Sequence, residues 1–226
     1  MIDYRQFRLS KLNEPEFSHL KYLLFWPAYG LAFMLLERFL TLDYTYMHCA
    51  LDDCIPFCEY FIVPYLFWFV YLTGMLIYTF FFDVKSFVYM MKLIIITCSA
   101  AVAAYAIFPS AQDLRPVVFE RNNIFTDIVR AFYEFDTNTN VCPSVHVSSS
   151  VVVLMTSWNS KHFHTVPYRI AFTVTTVLIC LSTVFLKQHS VIDVIWGVVV
   201  CAAAEIIIRG IDAYREHKCT QMRQKV

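Results

Sequence analysis

The sequence predicts an all-α membrane protein, a single domain built as a six-span transmembrane helical bundle. Three observations predict it. Of 226 residues, 58% are hydrophobic, 17% aromatic and only 16% charged, against about 25% charged in an ordinary soluble domain. That is more apolar surface than one soluble core of this length can hide. The apolar residues gather in six runs, near 20–40, 60–82, 89–109, 143–158, 166–186 and 190–211, and a spanning helix needs roughly 17–25 such residues. No internal repeat or low-complexity linker divides them, so 1–226 reads as one domain. The formal net charge is zero, which gives a nucleic-acid partner no electrostatic support.

Taken in order, the chain opens with about twenty polar and charged residues and no small-residue cleavage site, so no signal peptide is expected and the first run should stay as a span. That run carries Pro27 and Gly30, which spanning helices tolerate better than soluble ones. The fourth run is the shortest and most polar, opening "PSVHVSSS" at 143–150, and the sixth contains Asp193 and Glu205. The long loop at 110–142 holds "NIFTDIVRAFYEF", with Ile124, Ile128, Phe132 and Phe135 at helical spacing among Asp127, Arg130 and Glu134. A short amphipathic helix is expected there, either on the membrane surface or packed over the span ends.

Lysine and arginine set the orientation. With a cytoplasmic N-terminus, thirteen of these residues, Lys225 among them, fall on the cytoplasmic side and five on the other: Arg38, Arg115, Arg121, Arg130 and Lys187. Both termini are therefore expected in the cytoplasm and the 110–142 loop outside, at the plasma membrane. Cys98, Cys180 and Cys201 lie in apolar runs as small hydrophobes. Cys49, Cys54 and Cys58 share one loop, where a disulfide or a zinc site is open, though the spacing fits no standard zinc pattern. "HFH" at 162–164 invites a metal reading but falls on the cytoplasmic side.

Three polar clusters share the outer side: Arg115–Pro116, Pro143–His146, and "KQHSVID" at 187–193. Pro143 suits the first turn of a helix, whose free N–H groups bind anions, and Ser144 adds a hydroxyl. His146 stays near the same turn. His189 and Asp193 are four apart and share a helical face. A carboxylate there accepts a hydrogen bond from one imidazole N–H, fixes the tautomer and leaves the other nitrogen free as a nucleophile. Arg115 offers a planar, permanently charged fork for phosphate oxygens. Ionisable groups at a membrane are costly, and three such clusters on one side point to a site.

With these residues the chain resembles the type 2 phosphatidic acid phosphatase superfamily, which shares its core with vanadium haloperoxidases. The family pattern is K-x6-R-P, then P-S-G-H, then S-R-x5-H-x3-D. Here stand "FPSAQDLRP" at 108–116, "PSVH" at 143–146 and "STVFLKQHSVID" at 182–193. Phe108, Val145 and Thr183 depart from the pattern, which removes two phosphate-binding cations. Lys187 offers one charge in their place. The departures, and "LDDCIPFCEYFIVPYLFW" at 51–68, are similar to the branch of inositol phosphorylceramide and sphingomyelin synthases. Asp52, Asp53 and Glu59 in that stretch either bind a polyol or cationic acceptor or are solvated loop charges.

The resemblance implies a lipid phosphate phosphatase with a phosphohistidine intermediate and no cofactor or metal. It makes His189 the nucleophile, His146 the general acid and Asp193 the orienting carboxylate, with Arg115, Ser144 and Lys187 on the phosphate oxygens. A lipid head-group phosphotransferase is the first alternative, differing only in the acceptor. A non-catalytic transporter or degenerate family member is the second.

Overall fold

The structure, a computed structural model, describes residues 2, 4–39 and 43–223, so Leu40 at the end of the first predicted span and Lys225 of the charge count lie outside the described residues. The chain is helical nearly throughout. A 3-10 stretch at Ser18–Leu24 runs into α1 (Phe25–Phe39). A two-residue strand β1 (Thr45–Tyr46) and a short helix α2 (Ala50–Cys54) follow. Then come α3 (Ile62–Phe82), α4 (Val84–Ile107), strand β2 (Ser110–Ala111), α5 (Ile124–Phe135), α6 (Val145–Asn159), α7 (Val166–Phe185) and α8 (Val191–Arg223).

Every predicted run forms a helix. Among the described residues, four helical segments are long and apolar enough to cross a bilayer: Glu59–Phe82, Val84–Ile107, Val166–Phe185 and Val191–Gln221. The helices α1 and α6 have 15 residues each, about 22 Å of rise. Burial shapes α6: it packs against α3, α4, α7 and α8. The serines that follow its first turn face inward. Ser149 and Ser150 donate to the carbonyls of Val145 and His146 at 2.6 and 2.7 Å, and Trp68 Nε1 donates to Ser149 Oγ at 2.8 Å. A hydroxyl that bonds its own helix four residues back needs no water, which is how this polarity enters an apolar core.

That core is built from Phe87, Met90, Met91 and Ile94 of α4, Val152 and Val153 of α6, Ile179 of α7 and Cys201, Ala204 and Ile208 of α8. One residue, Asp83, joins α3 to α4. Its carboxylate accepts from Ser86 N and Ser86 Oγ, capping α4, and from Ser160 Oγ at the end of α6. Glu205, in the apolar stretch of α8, accepts from Tyr89 Oη and Arg209 Nε, each at 2.6 Å.

The opposite end of the bundle carries the loops. There β1 pairs in parallel with β2, and Ala111 bridges to Thr139. Ser110 Oγ accepts from the amides of Val141 and Cys142, and Glu37 of α1 accepts from Thr137, Thr139 and Asn140. The amphipathic helix is α5. It turns Thr126 and Val129 inward and leaves Ile124 and Phe135 exposed. At this end α8 approaches the start of α6 so closely that a Cβ on Gly197 would lie 3.0 Å from the Ser144 carbonyl oxygen.

Candidate active site

The chain reversal after α7 places the central residues. Leu186 ends the helix and Lys187 takes a left-handed conformation, φ 53°. The Lys187 amide then donates to Val184 O and the Gln188 amide to Thr183 O. These are the two bonds of a Schellman cap, with lysine where glycine is usual. The His189 amide also donates to Thr183 O, at 3.1 Å, so Gln188 and His189 hang from one carbonyl.

His189 and Asp193 meet as their spacing predicts. Nδ1 of His189 lies 3.3 Å from Asp193 Oδ2, which also accepts the Ser190 amide at 2.9 Å. With the carboxylate as acceptor, the imidazole carries its proton on Nδ1, and Nε2 has no protein partner among the described residues. Asp193 is fully buried and His189 is 8% exposed. His146 faces this pair from the first turn of α6, the two imidazole centroids 5.9 Å apart. Trp68 and Tyr65 of α3 hold the His146 ring, at 4.3 and 4.7 Å. Both histidines line a cavity of about 160 Å³, with Gln188, Asp136 and Asn140 on its wall.

The other expected phosphate ligands stand differently. Ser144 is fully buried as the N-cap of α6, its hydroxyl accepting from the Val147 amide, so the helix starts at Val145 and Pro143 lies two residues before it. Arg115 sits behind the cavity wall. Its guanidinium donates to the carbonyls of Tyr133, Asp136 and Thr137 and to Gln188 Oε1, and lies 4.5 Å from the Tyr133 ring centroid. Burial lowers it from its ordinary value, with Asp136 acting the other way. Lys187 is not brought to the histidines. The left-handed turn sends its side chain outward, where Nζ donates to the Asp52 carbonyl at 2.6 Å, and the cavity wall takes Gln188 in its place.

The three acids of 51–68 stand in different surroundings. Asp52 is not a solvated charge. It is buried, and accepts from Ser190 Oγ at 2.6 Å, Val191 N at 2.8 Å and Cys49 N at 2.8 Å. Glu59 is buried against Arg121 and Asn123. Asp53 is exposed and pairs with His48. Cys49, Cys54 and Cys58 are free thiols. His162 shares a hydrogen bond with Tyr78 and His164 with the Lys161 carbonyl, and among the described residues no three metal-binding side chains gather.

Sequence reasoning missed Asp136, Gln188, Tyr65 and Trp68. Gln188 had a signal in its place beside His189. Asp136 follows α5, where its backbone carbonyl holds Arg115 and its carboxyl accepts from Tyr65 Oη at 3.4 Å. Burial pushes that carboxyl above its ordinary value, against the pull of His189 and Arg115.

Four long apolar helices, packed around a histidine pair of which one member is backed by a carboxylate, mark an integral membrane protein. The sequence model of the PAP2 superfamily matches residues 89–216, more than half of the chain, and the protein belongs to that superfamily. The matched region runs from α4 to α8 and holds all three polar clusters. No curated protein and no solved structure matches the chain.

Proposed function

We propose that the protein is a membrane-embedded lipid phosphate phosphatase working through a phosphohistidine. The observation that carries this reading is the His189–Asp193 pair, whose free Nε2 belongs to the ring facing His146 across the cavity. Nε2 attacks phosphorus, the N–P bond forms, and the P–O bond to the lipid breaks as His146 protonates the departing oxygen. Asp193 stabilises the positive charge that grows on His189. Water then attacks phosphorus, gives its proton to His146 and releases His189. In this reading α1 and α6 complete six spans with the four long helices, both termini are cytoplasmic, and the cavity opens at the outer face of the plasma membrane.

A second reading rests on the cavity wall. Among the described residues it carries the Asp136 carboxyl and no lysine or arginine. A phosphomonoester dianion is poorly matched to such a wall, whereas a phosphodiester carries one charge. This favours head-group transfer between lipids, with an alcohol in place of water. The test is purified protein given labelled lipid phosphates and phosphodiesters, with and without acceptor alcohols. Free phosphate supports hydrolysis, a new phosphodiester supports transfer, and neither product across the panel overturns both.

A further inference from the structure

The Gln188 side chain is 3% exposed and lines the same cavity as the two histidines. Its orientation is settled by chemistry. Arginine has only donors, so the group facing Arg115 Nη2 at 2.5 Å is the carboxamide oxygen. The nitrogen, Nε2, is buried and has no hydrogen-bond partner among the described residues. A buried donor left without a partner is costly, so a fold that holds one in place calls for an acceptor. Other polar groups on this wall are committed: Thr137, Thr139 and Asn140 to Glu37, and Tyr105 to the Pro143 carbonyl.

We propose that Gln188 Nε2 donates to a non-bridging oxygen of the phosphoryl group held at His189, and that Arg115 acts through Gln188 as a positioning residue. Arg115 fixes the amide from behind and polarises it, so that part of a buried cation's effect reaches the substrate through a neutral donor. The backbone supports the placement, since the amides of Gln188 and His189 share the Thr183 carbonyl and the donor and the imidazole move as one unit. This gives the cavity an oxyanion donor although Lys187 points away from it.

The proposal rests on the phosphoryl-transfer reading and deepens it. Gln188→Leu removes the donor. Gln188→Glu keeps a partner for Arg115, and so protects folding, while replacing the donor with an acceptor. Both should lower kcat about 100-fold, as loss of one oxyanion donor does, and should weaken orthovanadate, a mimic of the five-coordinate phosphoryl group, in a direct binding measurement on the full chain. Arg115→Lys should lower kcat similarly, and the Arg115→Lys, Gln188→Leu pair should fall no further than Gln188→Leu alone. A folded Gln188→Glu protein with wild-type kcat and vanadate affinity overturns the proposal. So does a double variant in which the two losses multiply. If the wild type forms no phosphoenzyme yet Gln188→Glu still loses vanadate, the catalytic reading fails and the anion-donor role stands.

Discussion

The Asp52 carboxylate, from the short helix α2, accepts the Val191 amide at 2.8 Å and the Ser190 hydroxyl at 2.6 Å. It therefore caps α8 across 139 residues of sequence and pins the segment between His189 and Asp193. Burial alone would raise this carboxyl, but hydrogen bonds from Ser190, Val191 and Cys49 outweigh it and hold it below its ordinary 3.8. A depressed carboxylate contributes stability above its unfolded value and loses it as pH falls through the folded one. Asp52→Ala should destabilise the protein by about 2 kcal/mol at pH 7, and the difference from wild type should shrink below pH 4. Thermal midpoints in detergent from pH 3 to 7 check this.

His189→Ala should remove the phosphoenzyme and lower turnover by about 10³-fold or more while the protein still folds. Trapping with labelled substrate and an alkaline quench should show an acid-labile adduct in the wild type only. His146→Ala should lose far more activity on a lipid phosphate than on nitrophenyl phosphate, because a general acid matters most for a poor leaving group. Equal losses would give His146 a different role.

Gly197→Ala should part α8 from α6 by a few tenths of an ångström, because the new methyl meets Ser144 O at 3.0 Å and Val147 Cβ at 3.1 Å. The histidines sit on either side of this contact, so kcat should fall about tenfold. Gly74→Ala, which meets nothing within 4 Å, should leave kcat unchanged and stabilise α3 by about 0.5–1 kcal/mol. Kinetics and melting of the two variants separate crowding from helix propensity.

Lys187→Met should keep kcat within about threefold of wild type, since Nζ faces Asp52 rather than the cavity. It should lower stability by about 1 kcal/mol through the lost hydrogen bond. A tenfold fall in kcat on a lipid phosphate with the melting midpoint unchanged would put this lysine back at the phosphate.

Local spacing made much of this legible. The interval of four between His189 and Asp193 placed them together, the apolar periodicity of 124–135 found α5, and the six apolar runs found the long helices. What spacing could not show were side chains satisfied over long distances. Asp52 and Glu59 read either as acceptor ligands or as solvated charges because Val191 and Arg121, their partners, lie far along the chain. Lys187 was misplaced for a different reason. A helix ending at Leu186 was expected, but the left-handed residue that follows reverses which of two neighbours, Lys187 or Gln188, faces inward. Glycine usually announces that turn, and here a lysine hides it.

The Thr183 carbonyl receives both the Gln188 and the His189 amides, and every amino acid carries a carbonyl. The placement of the His189 imidazole is thus written in the main chain, at a position whose side chain departs from the family pattern. A lineage can exchange the side chain at 183, and with it the charge offered to a substrate, without having to relearn where the histidine goes. Chemistry at this position is free to drift while geometry is inherited.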